Sequence, residues 1–306
     1  MRHVQQAPAV APLAACGDDH AGGADLRATL DRLRPDGPGR WVADRHMGPG
    51  GAAGLDRVHG GEMVAHAVTL AQAQAGGRLC TTINIVFARE ARWELPTEFE
   101  LTGLSAGRSY SFTAVGISQP GRGVVAHAQV VLAAPRSGPS HQAAEVPDVD
   151  WSSAVDEARG LLSAPIAVVG GGRLDDHDAG EPVVRLWLRV PDALTDEAER
   201  RAYVAFASDQ LMMSAAVRPH AGMGYVTTGV YAAVTGHSVR FWGNELPSTD
   251  LRFDITSPVM RDGVALAVAH AFDDSGALVA TFVQDLIVRP QSVRPQSIDT
   301  GPGETR

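Results

Sequence analysis

The chain has 306 residues, 44% hydrophobic and 20% charged, with a formal net charge of −9. That is enough apolar matter for one large domain or two modest ones, and the acidic balance without clustered Lys/Arg argues against a nucleic-acid partner. Its two cysteines, Cys16 and Cys80, are too few for a disulfide framework or a cysteine-rich zinc site and suit a reducing, cytoplasmic setting.

Residues 1–25 are rich in Ala, Pro and Gln and read as a disordered tail. The "PLAAC" ending at Cys16 imitates a lipoprotein cleavage box, but Gln5, Gln6, Pro8 and Pro12 break the apolar run that a signal core requires. No run approaches the roughly 18–20 apolar residues of a membrane span, so no membrane partner is expected.

The first structured signal is "GGEMVAHAVTLAQAQ" over 60–74, an Ala-rich helix opened by two glycines with Glu62 in its first turn. Strand-like runs follow at 79–88, 97–106, 109–118 and 123–133, the last two joined by the Pro/Gly turn "QPGRG". Next comes "SGPSHQAAEVPDVD", Pro/Ser-rich and poor in apolar residues, which reads as a connection. After it, the three glycines of "VVGGGR" open no helix, and "DDHD" at 175–178 lacks ligand spacing. Neither is taken as a nucleotide or metal site, and no cofactor is expected.

The second half repeats this order. A helix over 201–217, "RAYVAFASDQLMMSAAV", precedes strand-like runs at 224–242, 250–260, 263–272 and 276–288, and residues 291–306 read as a second tail. "VVAHAQVVL" can be laid over "LVATFVQDL", so the period is roughly 145–155 residues. A helix apolar on all sides must be covered, and an antiparallel sheet with one apolar face can cover it. The expected class is therefore α+β, a tandem (double) hotdog, each repeat a central helix wrapped by an antiparallel β-sheet. Its expected divisions are 26–136 and 179–290, joined by 137–178.

The segments "RVHGGEMVAHAV", "YVAFASDQLMM", "TGHSVRFW" and "LVATFVQDLIVR", in this order and on these elements, resemble the TesB-like acyl-CoA thioesterase II family. The resemblance spans about residues 27–290 and implies an acyl-CoA or acyl-carrier thioester as substrate. It also implies that Asp209 on the second central helix, Thr235 and Gln284 on the last strand hold the attacking water. The substrate-binding positions it suggests are Gly60, Gly61, Glu62, His237 and Met213. Two departures stand out: Glu62 replaces the family's glutamine after the glycine pair, and "GNELPSTDL" after Trp242 replaces a stretch usually richer in aromatic residues.

The residues themselves support such chemistry. Asp209 is the only acid or base between Ala202 and Val217, and a buried carboxylate is costly unless hydrogen bonds offset the loss of water. It can accept a proton from water, Thr235 can donate a hydroxyl hydrogen, and Gln284 can both donate and accept. No G-x-S-x-G elbow points to a serine nucleophile. His66 and His237 read more readily as structural hydrogen-bonding residues than as acid or base. Two rivals stay open: a hotdog hydratase or dehydratase, which would use an Asp/His pair, and a specialised-metabolism protein that binds or transforms a polyketide-like thioester without hydrolysis. The sequence leaves homo-oligomerisation through sheet edges possible.

Overall fold

A computed structural model describes residues 30, 33–44, 46, 57–154, 166–169, 179–210, 212–223, 230–247 and 250–290. The two tails, with Cys16, and the "DDHD" stretch lie outside these residues.

In the first half the chain forms β1 (Leu33–Pro35), β2 (Arg40–Ala43), helix α1 (Gly60–Gln74), β3 (Leu79–Phe87), β4 (Thr97–Ala106), β5 (Tyr110–Gln119) and β6 (Gly123–Ala133). The second half adds β7 (Ile166–Val169), β8 (Val183–Leu188), α2 (Glu197–Ala207), α3 (Met212–Val217), β9 (Val230–Phe241), β10 (Leu251–Arg261), β11 (Val264–Phe272) and β12 (Leu278–Pro290). The twelve strands of the described residues join one sheet in the order β1-β2-β4-β5-β6-β3-β9-β12-β11-β10-β8-β7. The order reads as the same six-strand pattern run outward from a central seam, where β3 pairs antiparallel with β9 from Thr82↔Arg240 to Val86↔Gly236.

Strand register fixes the repeat. Ile83 pairs with Val130 in one half and His237 with Gln284 in the other, while Thr113↔Val130 corresponds to Ala267↔Gln284. Positions 154 apart are therefore equivalent over these central strands, the same offset as in the sequence overlay. The sheet wraps both central helices: α1 packs on β3 and β6, α3 on β8, β10 and β11, and α1 lies against α2. The core they enclose runs continuously from Val64 and Val68 to Phe206, Phe253 and Phe282.

The structure differs from the sequence reading in three places. Edge strands β1, β2, β7 and β8 extend the sheet, and β7 falls inside the stretch expected as connection. Its buried "IAVV" pairs with β8 from Ile166↔Leu188 to Val169↔Arg185, which satisfies both an apolar run and a sheet edge. The helix over 201–217 is two helices. Asp196 caps α2 by accepting from the N–H groups of Ala198 and Glu199, so the helix starts earlier than its apolar part. It stops at Ala207, where Gln210 N–H bonds to Ala207 O and the Ser208 hydroxyl turns back onto Ala205 O. Asp209 thus stands in the turn between α2 and α3, not in mid-helix.

Candidate active site

The turn after α2 meets the amino end of α1. Gly61 sits so close that a side chain there would run into the carbonyl oxygen of Phe206, and a Cβ on Gly60 would lie 2.8 Å from Asp209 Oδ2. The glycine pair is needed for this approach. It lets the N–H of Gly61 donate to Asp209 Oδ2 at 2.8 Å, so the carboxylate occupies the positive end of a helix from the other half. The other oxygen, Oδ1, accepts the Gln284 amide N–H at 2.6 Å. The Asp209 side chain is only 5% exposed. These two charge-assisted bonds and the helix end offset the cost of burying it.

Gln284 is fully buried on β12. Its amide nitrogen must face the carboxylate, since the opposite rotamer would set oxygen against oxygen. Its Oε1 then has no hydrogen-bond partner among the described residues. The cross-strand partner of Gln284 is His237, whose Nδ1 lies 3.4 Å from the same amide nitrogen and whose Nε2 lies 2.7 Å from Ser208 Oγ. Burial pushes the His237 pKa below its ordinary value, against an opposing pull from Asp209 and with a smaller push from His59.

His59 was not singled out by the sequence reading. It caps α1, its Nδ1 accepting the Gly61 N–H at 3.2 Å while Nε2 stands 3.5 Å from Asp209 Oδ2. The signal was present as a His directly before Gly-Gly, in capping position for the helix. With its side chain 20% exposed, His59 marks the more open edge of the cluster, its ring edge-on to Phe206.

The remaining expected residues fall elsewhere. Thr235 occupies a β-bulge in β9, between the pairs Asp285↔Gly236 and Leu286↔Val234, and its hydroxyl donates to Asp285 O at 3.3 Å. The inward neighbour at this level is Val234, which packs on the core. The same bulge recurs 154 positions earlier, where Thr81 stands between Cys80 and Thr82 and donates to Val131 O at 3.2 Å. Glu62 is buried in the first half, 2.7 Å from His46 Nδ1, and the other nitrogen of that imidazole faces Thr97 Oγ1 and Leu95 O. Met213 is partly buried on α3 against the core. His66 stands edge-on to Phe99 inside the first half.

Asp209, Gln284 and the α1 terminus therefore form a buried carboxylate–amide pair, built by both halves, whose amide oxygen has no partner among the described residues. Comparison with known proteins supplies the family. The family model for the acyl-CoA thioesterase C-terminal domain matches residues 133–288, half of the chain. The tesB protein of Mycobacterium avium subsp. paratuberculosis superposes with TM-score 0.69 at 24% identity, covering 87% of this chain and 99% of its own. Acyl-CoA thioesterase II TesB2 from Mycobacterium marinum gives 0.68 at 19%, covering 88% and 98%. A hot dog fold protein from Alicyclobacillus acidocaldarius gives 0.66 at 18%, covering 86% and 98%. A search of curated proteins gave no match. The chain belongs to the acyl-CoA thioesterase family, thioester hydrolases, and has the double-hotdog fold of the TesB structures it resembles.

Proposed function

We propose that this chain hydrolyses an acyl-CoA or acyl-carrier thioester with Asp209 as general base and Gln284 as the group that orients the attacking water. The observation that carries this reading is the carboxylate bonded to an amide whose buried oxygen accepts nothing from the described residues. A buried carbonyl left without a donor costs about 1–3 kcal/mol, so its retention calls for a visiting partner. A water beside the pair gives one hydrogen to Gln284 Oε1 and the other to Asp209. As Asp209 takes that proton, the water oxygen bonds to the thioester carbon; the C–S bond then breaks, and the proton passes to the departing thiolate.

The thioester enters along the edge marked by His59, beside the amino end of α1 whose Gly61 N–H holds Asp209. Thr235 serves this site through the backbone. Its bulge adds the residue that keeps both His237 and Val234 facing inward. Glu62 holds the first turn of α1 through His46, and Met213 is the candidate wall of the acyl site.

Replacing Asp209 with Asn keeps the shape and the acceptor for Gln284 but removes the base. Thiol release from the best of a panel of saturated acyl-CoAs is expected to fall about 10³-fold. A rate near that of the unmutated protein would sink the mechanism.

One observation favours a second reading, dehydration or hydration of a thioester that stays esterified: His59 Nε2 lies 3.5 Å from Asp209 Oδ2, an imidazole and a carboxylate facing each other across the two halves. Product analysis separates them. Free acid and thiol mean hydrolysis; an intact thioester that has lost or gained water means the second reaction.

A further inference from the structure

We propose that His237 is a positioning residue for the hydrolytic step: it holds the Gln284 amide in the one orientation that presents Oε1 to water beside Asp209. The inference rests on the assignment of Asp209 and Gln284 made above.

The bonds force each other in sequence. The Ser208 hydroxyl donates to Ala205 O at 2.8 Å, so toward His237 its oxygen can only accept. The proton of the imidazole therefore sits on Nε2, 2.7 Å from that oxygen, and Nδ1 is left as an acceptor. Nδ1 faces the Gln284 amide nitrogen at 3.4 Å, a long bond, and the second amide hydrogen goes to Asp209 Oδ1 at 2.6 Å. Ser208, His237 and Gln284 are 1%, 2% and 0% exposed, so bulk water cannot substitute for any of these partners. With both amide hydrogens spent, Gln284 cannot rotate without breaking two bonds, and its oxygen stays where it is.

The first half shows that the fold does not need this chain of bonds. At the positions equivalent to His237 and Gln284 stand Ile83 and Val130, paired across the equivalent strands β3 and β6 and as fully buried. An apolar pair closes that half. The polar pair in the second half is therefore explained by what it holds, not by packing.

That comparison also supplies the test. His237→Ile copies Ile83 and is expected to fold, with kcat for the best acyl-CoA reduced about 10²-fold and KM within about threefold, as misorientation without loss of binding predicts. His237→Asn, whose Oδ1 can accept from the Gln284 amide, is expected to recover at least a third of the unmutated kcat. Gln284→Val, copying Val130, should lose at least as much as His237→Ile, and adding His237→Ile to it should cost nothing more. A His237→Ile protein at the unmutated kcat while Asp209→Asn is inactive overturns the inference and leaves the hydrolase reading standing. An active Asp209→Asn protein overturns both. If His237→Ile fails to fold, the cycle of His237→Ala with Gln284→Val decides: non-additive losses support the coupling and additive losses overturn it.

Discussion

At the scale of single residues, the second half carries a buried histidine that the structure keeps neutral. Burial lowers the His237 pKa, opposed by Asp209 and assisted by His59, the two titratable groups that act on it. Between its folded pKa and an unfolded value near 6.5, the unfolded chain binds more protons than the folded one. Stability from this group is therefore complete above about pH 6.5 and is lost as pH falls toward the folded pKa, with a slope of at most about 1.4 kcal/mol per pH unit. Thermal midpoints measured from pH 7.5 to 5 should fall for the unmutated protein, and His237→Asn should flatten that slope. A slope unchanged in the variant would mean that His237 does not titrate on unfolding in this range. Asp209 was legible in the sequence because one carboxylate interrupts an apolar helix, and Gln284 because the resemblance places it. The task of His237 was not, since it depends on register across β9 and β12 and on which imidazole nitrogen carries the proton, neither of which a linear pattern encodes.

At the scale of elements, two local irregularities build the site. The first is the close crossing of α1 by the end of α2. Gly61→Ala would press a methyl group into the Phe206 carbonyl. It is expected to cost about 2 kcal/mol in denaturant unfolding and to lower kcat by displacing the N–H that holds Asp209. A neutral effect on both would show that the helix ends separate freely. The second is the bulge. Thr81 and Thr235 make the same hydroxyl bond to the residue opposite, so replacing either with Val should lower stability by about 1 kcal/mol. The loss of activity in Thr235→Val should be far smaller than in Asp209→Asn; an equal loss would place the Thr235 hydroxyl on the water after all. The long strands and α1 were readable because alternation and an Ala-rich run bounded by glycines and Pro/Gly turns leave little choice. The break at Ser208–Gln210 was not: every side chain around it is compatible with a helix, and the contact that bends the chain, α1 against Asp209, lies 148 positions away in sequence. Strands β1, β2 and β7 were missed for a related reason, since three or four residues carry no period and gain their partners only from the completed sheet.

At the scale of the molecule, the duplicated halves do not behave as separable modules, because what they share is both the core and the site. The sheet is continuous through β3 and β9, and the Ser238 hydroxyl donates to Asn84 across that seam. Beneath it, the buried Arg201 of α2 donates to Cys80 O of β3 at 2.6 Å, and Gln72 of α1 donates to Ala198 O of α2 at 3.0 Å. The same Gln72 accepts from Cys80 N–H, so opening the seam would strip partners from buried groups on both sides. The chemistry is equally divided: the acid and amide belong to the second half, and the N–H that steadies the acid belongs to the first. The first half offers only Ile83 and Val130 where the second has His237 and Gln284. On the proposed mechanism that asymmetry gives one reaction centre per chain, and the shared core predicts cooperative unfolding. Calorimetry of the whole chain is expected to give a single transition whose van't Hoff and calorimetric enthalpies agree. Residues 26–136 and 179–290, made separately, should release no thiol from acyl-CoA. Two resolved transitions, or hydrolysis by the isolated second half, would show that its acid needs neither the α1 terminus nor the shared core, and the site would then have to be redrawn within residues 179–290 alone.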